Sequence, residues 1–211
     1  NLFQCMRFPE ELYEVLSEVE SQNKSLFYKC QDNLNTISKQ NCYFPLGDCD
    51  IASQYAYVAT QVFSGSKILE SKFIDLKGKY GSKYDALIRR LQKFEVVERL
   101  EKITEVENMG YLELIQKYDS PTTYFYCDPP YWKTENYYSN HNFDREDHEL
   151  LCNTLKEIDG KFSLSYYDFP LLREWLPKDK YNWIEKEFTK AAGAQKGKKQ
   201  NKGTELLIMN Y

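Results

Sequence analysis

A short run of β-branched and aromatic residues that ends in two consecutive prolines constrains the fold more than any other stretch of this chain. Residues 122–127 predict a buried strand, and Asp128-Pro129-Pro130-Tyr131 follows it directly. Because proline has no amide hydrogen and restricts the residue before it, the strand cannot continue beyond Asp128. The strand is therefore expected to present a carboxylate, a backbone carbonyl and an exposed aromatic ring at its carboxyl end. Such a set can accept both hydrogens of an amine on a planar ring and stack on that ring; the alternative is a proline-rich turn with a surface tyrosine.

The residues after this junction alternate between helix and strand patterns. Leucines spaced along one face predict a helix over 144–158, and residues 162–166 predict the next strand. A short helix is predicted over 168–176. Two further strands, 183–188 and 205–211, predict a terminal antiparallel hairpin. The second half of the chain is therefore predicted to be α/β, with ligands expected beyond the carboxyl ends of the strands.

The first half of the chain has mainly helical patterns. Apolar residues spaced three and four apart predict helices over 9–20, 26–37 and 84–94. Asp50 is placed to cap a further helix that follows it. The glycine- and lysine-rich residues 63–81 predict loops, with a short strand or hairpin among them. This half therefore reads as a helical lobe that precedes the α/β part.

Positive charge is concentrated in two basic segments, residues 64–94 and 189–203, although the net charge of the chain is −4. The first segment has eight basic and three acidic side chains, and the second has five lysines and no acid. Positive charge gathered on an acidic body is typical of a DNA-facing side, and the alternative is two solvated lysine-rich loops. The predicted DNA-binding residues are Lys67, Lys72, Lys77, Lys79, Lys196, Lys198, Lys199 and Lys202.

The cysteines and histidines do not predict a metal site. None of the six cysteines forms a Cys-x-x-Cys pair, and the two histidines lie far from most of them in the sequence. Cys127 lies within the predicted strand and is expected to be a core residue, and His148 is expected on a helix surface or in helix packing. No apolar run approaches the length of a membrane span, and no signal peptide is recognised, so we expect a cytoplasmic protein with reduced thiols.

Several stretches, taken together with Asp128-Pro129-Pro130-Tyr131, resemble the Dam-type (D12 class) N6-adenine-specific DNA methyltransferases. The resemblance extends along the whole chain and is densest after residue 103. The segments that carry it are Asn1-Leu2-Phe3 through Arg7, Pro9, Glu10 and Glu11, then Tyr118–Pro121, Asn142–His148, Leu164-Ser165-Tyr166 with Asp168 and Pro170, and Glu205–Tyr211.

The resemblance implies an α/β fold with a Rossmann-like methyltransferase sheet and an inserted, mainly helical target-recognition lobe. It assigns residues 1–23 to a helix of the catalytic domain, residues 24–102 to the lobe, and residues 103–211 to the C-terminal part of the catalytic domain. It also implies that the substrate is double-stranded DNA and that the cofactor is S-adenosylmethionine. A cognate restriction endonuclease is a partner that such enzymes can have.

The resemblance also implies roles for single residues. Asp128 and the Pro129 carbonyl would accept the hydrogens of the adenine amine, Pro130 would keep this turn rigid, and Tyr131 would stack on a flipped-out adenine. The cofactor would lie beside Asp128, Glu107 and Asn108. The target-base pocket would be formed by Tyr131, Ser165 and Tyr166.

Two departures from the family pattern lead to a further expectation. No Phe-x-Gly-x-Gly cofactor loop occurs in the sequence, and Gly110 stands where relatives commonly carry an acid that contacts the cofactor. We therefore expect this chain by itself to bind DNA weakly and not to methylate it. One alternative function is a non-catalytic DNA-binding remnant of such an enzyme. Another is a methyltransferase for RNA or a protein amide, but such enzymes usually carry asparagine in place of Asp128 and lack a basic lobe.

Overall fold

The structure is a computed structural model that describes residues 2–20, 22–40, 47–62, 68–75, 82–133, 143–189 and 202–211. These residues belong to two compact units, Asn1–Glu107 and Asn108–Tyr211. Each unit has its own cluster of buried apolar side chains. The division into a helical part and an α/β part follows the pattern in the sequence.

The described residues of the first unit are mainly helical. The helices are α1 (Leu2–Cys5), α2 (Pro9–Ser17), α3 (Lys24–Gln40), α4 (Cys49–Thr60), α5 (Lys83–Leu91) and α6 (Phe94–Glu101). A 3₁₀ turn, Ile68–Glu70, lies between α4 and α5.

Two local predictions for this unit need correction. The residue that caps α4 is Asp48, whose carboxylate accepts a hydrogen bond from the Ile51 amide at 3.0 Å, and Asp50 lies in the first turn. The helix predicted over 84–94 is two helices, because the backbone of Lys93 is extended and begins α6. Of the glycine- and lysine-rich stretch 63–81, residues 68–75 are described and contain no strand; the rest lies outside the described residues, so the short strand or hairpin stays a prediction.

The first helices belong to the same compact unit as the helices that follow them. Leu12 and Leu16 of α2 are buried in the same cluster as Phe27 of α3 and Tyr57 of α4. In the structure, therefore, the first helices pack with α3 and α4, and the two compact units divide after residue 107. The division into a catalytic domain over 103–211 and a target-recognition lobe over 24–102 stays a prediction. The assignment of residues 1–23 to the catalytic domain rests on the family resemblance and stays a prediction.

The second unit contains a mixed four-stranded sheet in the order β1-β2-β4-β3. Strand β1 pairs with β2 in parallel, and β4 pairs with both β2 and β3 in antiparallel fashion, so the terminal hairpin is observed. Within the described residues, β1 has a strand neighbour on one side only. The elements are α7 (Tyr111–Tyr118), β1 (Tyr124–Cys127), α8 (Arg145–Glu157), β2 (Lys161–Tyr167), α9 (Pro170–Trp175), β3 (Asn182–Thr189) and β4 (Lys202–Met209).

Helices α8 and α9 pack against one face of this sheet. Leu155 of α8 and Leu172 of α9 share a buried cluster with Leu164 and Tyr166 of β2. Because side chains alternate along a strand, Ser165 of β2 belongs to the opposite face. Helix α8 begins as predicted, since the Asp144 carboxylate accepts hydrogen bonds from the first-turn amides and completes a capping box. None of the described helices is long and apolar enough to cross a membrane.

Candidate active site

The carboxyl end of β1 holds the predicted catalytic residues. Cys127, the last residue of β1, pairs with Leu164 in the parallel register, so Asp128 follows level with Ser165 of the neighbouring strand. The strand ends where the prolines begin, as the sequence predicts. The Asp128 side chain is exposed, and Pro129 and Pro130 are half-buried. A carboxylate is thus accessible from solvent at the edge of the sheet where ligands bind in α/β folds.

A cavity of about 520 Å³ lies beside this turn, within the second unit. Its volume lies in the range of small-molecule binding sites. Apolar and aromatic side chains dominate its lining, and the carboxyl groups of Asp128 and Asp147 are its acidic members. The lining residues are Tyr111, Leu114, Ile115, Phe125, Tyr126, Cys127, Asp128, Pro129, Pro130, Phe143, Asp147 and Leu151.

Tyr131 is half-buried rather than fully exposed, which corrects the sequence-based expectation. Its hydroxyl lies 2.7 Å from Ser165 Oγ and donates a hydrogen bond to Glu205 Oε1 at 3.0 Å. Its ring meets the Tyr167 ring edge-on, with centroids 4.3 Å apart. Burial is the main cause that raises the pKa of Tyr131 above its usual value, and the carboxylates of Asp128 and Glu205 also raise it. The phenol therefore stays protonated and available as a hydrogen-bond donor.

The two residues predicted to complete the target-base pocket lie in different surroundings. Ser165 adjoins Tyr131. Tyr166 is fully buried, and its hydroxyl bonds with His148 Nδ1. The structure thus brings Ser165 to the candidate site and places Tyr166 in the core behind it, with its ring centroid 5.9 Å from that of Tyr131. The role of Tyr166 in the target-base pocket stays a prediction.

An aromatic cluster supports the residue that follows Tyr131. The Trp132 ring stacks on Phe169, with centroids 4.7 Å apart and planes at 8°, and lies 5.2 Å from the ring of His148. His148 is fully buried, so its expected packing role is observed and a place on the helix surface is not. Trp132 and Glu205 were not among the site residues predicted from the sequence. A signal for Glu205 was available, because it is the acidic residue that directly precedes the apolar run 206–209 of β4.

Cys127 has the properties of a packing residue. It is half-buried and packs against the core of the second unit. Burial raises the pKa of its thiol to about 11. The thiol is therefore protonated at neutral pH and is a poor nucleophile. This agrees with the expectation that Cys127 is a core residue.

The remaining predicted cofactor residues do not line the cavity. Asn108 is an exposed residue of the second unit and is absent from the lining of this cavity. Glu107 is half-buried and belongs to the first unit. Their contacts with a cofactor stay predictions that rest on the family resemblance.

Two of the predicted DNA-binding lysines can be placed in the structure. Lys72 is exposed, and Lys202 is exposed and forms an ion pair with Glu187 at 2.9 Å. Lys67, Lys77, Lys79, Lys196, Lys198 and Lys199 lie outside the described residues. Among the residues that the structure describes, there is no group of three or more histidine, cysteine or acidic side chains that could hold a metal ion.

Comparison with known proteins gives a family match and a curated relative. The model of the family described as D12 class N6 adenine-specific DNA methyltransferase matches residues 1–191. A curated relative, the Type II methyltransferase M.MjaIII of Methanocaldococcus jannaschii, is 25% identical over 206 residues, which cover 94% of this chain and 68% of the relative.

Proposed function

Because the chain belongs to the D12 class of N6 adenine-specific DNA methyltransferases, we propose that its protein transfers a methyl group from S-adenosylmethionine to the N6 amine of an adenine in double-stranded DNA. The observation that supports this proposal is the arrangement of residues at the carboxyl end of β1. There the exposed Asp128 carboxylate is followed by the proline carbonyls and by the fixed ring of Tyr131.

The chemistry of the amine explains why this turn suits the reaction. The N6 lone pair of adenine is delocalised into the ring, so the amine is a poor nucleophile. Asp128 and the Pro129 carbonyl each accept one N–H, which favours a pyramidal nitrogen and directs its lone pair toward the methyl donor. The proposed contribution of the protein is therefore positioning and electrostatics. No covalent intermediate with the protein is required.

The tyrosine at this turn supports a flipped-out base. An adenine amine inside a duplex is out of reach, and enzymes that modify bases take them out of the stack. The extruded ring then needs a surface that replaces the lost stacking. Tyr131 is three residues from Asp128 and is held by hydrogen bonds and ring packing. We therefore assign it as the stacking surface for the target adenine.

The cavity beside Asp128 fits part of S-adenosylmethionine. When bound, this cofactor supplies a methyl group on a positively charged sulfur. The Asp128 and Asp147 carboxyl groups complement that positive charge, and the apolar wall with Phe143 can pack on its uncharged parts. These residues would therefore hold the cationic end of the cofactor and keep water from it.

Basic side chains supply the proposed contacts with the DNA backbone. The two basic segments, 64–94 and 189–203, are proposed to face the phosphates, which gives affinity without regard to sequence. Lys202 reaches the phosphates only by exchanging its ion pair with Glu187. A cognate restriction endonuclease is also proposed as a partner, since the archaeal relative is named a Type II methyltransferase.

Replacing Lys196, Lys198, Lys199 and Lys202 together with glutamine is expected to weaken DNA binding equally for all sequences. Each lost phosphate contact should flatten the plot of log affinity against log salt concentration by about 0.9. Fluorescence anisotropy with two unrelated duplexes at several salt concentrations measures this slope. The matched control replaces four exposed lysines outside both basic segments, Lys24, Lys29, Lys39 and Lys156, and should keep the slope. Equal slopes in the two variants would show that the second basic segment is only solvated.

The proposed function is tested by producing the full-length protein in cells that lack adenine methylation. Mass spectrometry of digested DNA is expected to show N6-methyladenine, and sequencing that detects methylated bases should place it in one recognition sequence. Methyl groups on RNA or protein and none on DNA would contradict the choice of substrate. DNA binding with no methyl transfer would favour the non-catalytic remnant.

A further inference from the structure

The hydroxyl of Tyr131 is held by two residues that are distant in the sequence. Ser165 Oγ lies 2.7 Å from it, on β2, and Glu205 Oε1 lies 3.0 Å from it, on β4. Ser165 is 6% exposed, so its bond to Tyr131 is shielded from water. Both partners lie on strands of the sheet and not on loops. The phenol is therefore attached to a rigid part of the unit.

The proton positions in this network follow from the donors available. A tyrosine hydroxyl has a single hydrogen, and an ionised carboxylate can only accept. The Tyr131 hydrogen therefore goes to Glu205, and Ser165 must donate its own hydrogen to the Tyr131 oxygen. The chain of bonds runs in one direction, from Ser165 through Tyr131 to Glu205. Its last bond is charge-assisted and so is stronger than a bond between neutral groups.

The register of the sheet explains why these residues meet. Glu205 pairs with Tyr167, and Ser165 pairs with Leu207, so Glu205 and Ser165 lie diagonally on neighbouring strands. Side chains two residues apart on a strand share a face, which puts Ser165, Tyr167 and Glu205 on the same side of the sheet. Tyr131 leaves the end of β1 and enters this group.

Ring contacts complete the fixation of Tyr131. Its ring meets the Tyr167 ring edge-on at 4.3 Å, and the Tyr167 ring is itself stacked on Phe188 of β3, with centroids 5.7 Å apart and planes at 21°. The hydrogen bonds fix the hydroxyl end of the Tyr131 side chain, and the contact with Tyr167 fixes its ring. The side chain is thereby ordered before any base arrives.

From these contacts we infer that Ser165 and Glu205 are positioning residues for base stacking, acting through the Tyr131 hydroxyl and not through the base itself. This inference rests on the proposed function, in which Tyr131 stacks on the target adenine. A ring that is ordered in advance loses less conformational freedom when the base arrives. Loss of either partner should therefore slow methyl transfer from bound DNA, while affinities for DNA and cofactor change little.

The same strand provides a matched control. Ser163, two residues before Ser165, is 1% exposed and accepts a hydrogen bond from the Tyr124 hydroxyl at 2.8 Å. Ser163 is the same residue type on the same face as Ser165, and it also binds a tyrosine. That tyrosine lies in β1 and not in the turn 128–131. Ser163→Ala therefore reports the general effect of removing a buried serine hydroxyl from β2.

The test is a double-mutant cycle in the full-length protein, measured as single-turnover methyl transfer from labelled S-adenosylmethionine to unmethylated genomic DNA. Glu205→Ala and Ser165→Ala should each lower the rate about three- to tenfold, the range expected when one side chain is no longer immobilised. Ser163→Ala should lower it less than twofold. In a Tyr131→Phe protein, which keeps the ring and lacks the hydroxyl, Glu205→Ala should have almost no further effect, since coupled residues are not additive.

Glu205→Gln supplies a conservative comparison, because its amide oxygen can still accept the Tyr131 hydrogen. It should retain most of the rate that Glu205→Ala loses. Additive effects of Glu205→Ala and Tyr131→Phe would overturn the inference, because they would show that Glu205 acts independently of the hydroxyl. Equal losses in Glu205→Gln and Glu205→Ala, or in Ser163→Ala and Ser165→Ala, would also overturn it. A wild-type protein that transfers no methyl group would overturn the proposed function and this inference with it.

Discussion

Alanine in place of Asp128 is expected to lower methyl transfer by at least about 10²- to 10³-fold, the loss typical when one preorganised electrostatic group is removed from an active site. The carboxylate is one of two acceptors for the adenine amine, and without it the nitrogen lone pair is no longer directed at the methyl donor. Its side chain is exposed, so stability should change little. Single-turnover transfer of a labelled methyl group, measured together with thermal unfolding, separates the two effects.

Two further variants provide a control and a conservative comparison for this test. Asp179→Ala removes another exposed aspartate from the second unit and should leave transfer unchanged. Asp128→Asn keeps one carbonyl oxygen in place, so it should retain more activity than alanine. Activity of Asp128→Ala within tenfold of the wild type would refute the assignment of this residue as a hydrogen-bond acceptor in the reaction.

The second large effect is expected for Tyr131→Ala. Stacking of a base on an aromatic side chain contributes roughly 1–3 kcal/mol, which corresponds to a loss of about 5- to 150-fold. Tyr131→Trp keeps an aromatic face, and Tyr131→Phe loses only the hydroxyl, so both should retain more activity than alanine. Transfer rates of the three variants, with cofactor affinity measured by calorimetry, give the comparison.

Tyr124→Ala is the control for removing an aromatic ring. Tyr124 is an exposed residue of β1 whose hydroxyl bonds with Ser163, outside the turn 128–131. It should change the transfer rate less than threefold, by analogy with surface substitutions away from a site. Equal rates for Tyr131→Phe and Tyr131→Ala would mean that the hydroxyl, and not the ring face, is what the reaction needs.

Much of the second unit could be predicted because its signals are local. The strand that ends before Asp128 is encoded by β-branched and aromatic residues followed by prolines, which act through the backbone of their immediate neighbours. The start of α8 follows from Asp144 and the acidic residues after it. The family, now shown by the match over residues 1–191, could likewise be recognised from short motifs in the sequence.

Two predictions of helix ends were wrong, because the local sequence was compatible with more than one position for the end. Asp48 and Asp50 can both cap a helix, and the extended backbone of Asp48 decides in favour of Asp48. The apolar spacing over 84–94 continues across a break at Lys93, whose extended backbone begins α6. Tyr84 and Leu91 of α5 are buried, whereas Phe94 is 77% exposed. Periodicity alone therefore showed neither the break in the backbone nor that the last apolar residue lies outside the core.

The surroundings of Tyr131 depended on the tertiary structure. Its partner Glu205 is 74 residues away in the sequence, and the two meet only because β4 pairs with β2 in one register. A shift of that register by one residue would turn Glu205 to the other face of the sheet. The sequence by itself determined that a carboxylate and an aromatic ring follow a terminated strand, because that depends on bonded neighbours. Which residues hold the ring was decided by strand pairing, because contacts between distant segments exist only in the folded chain.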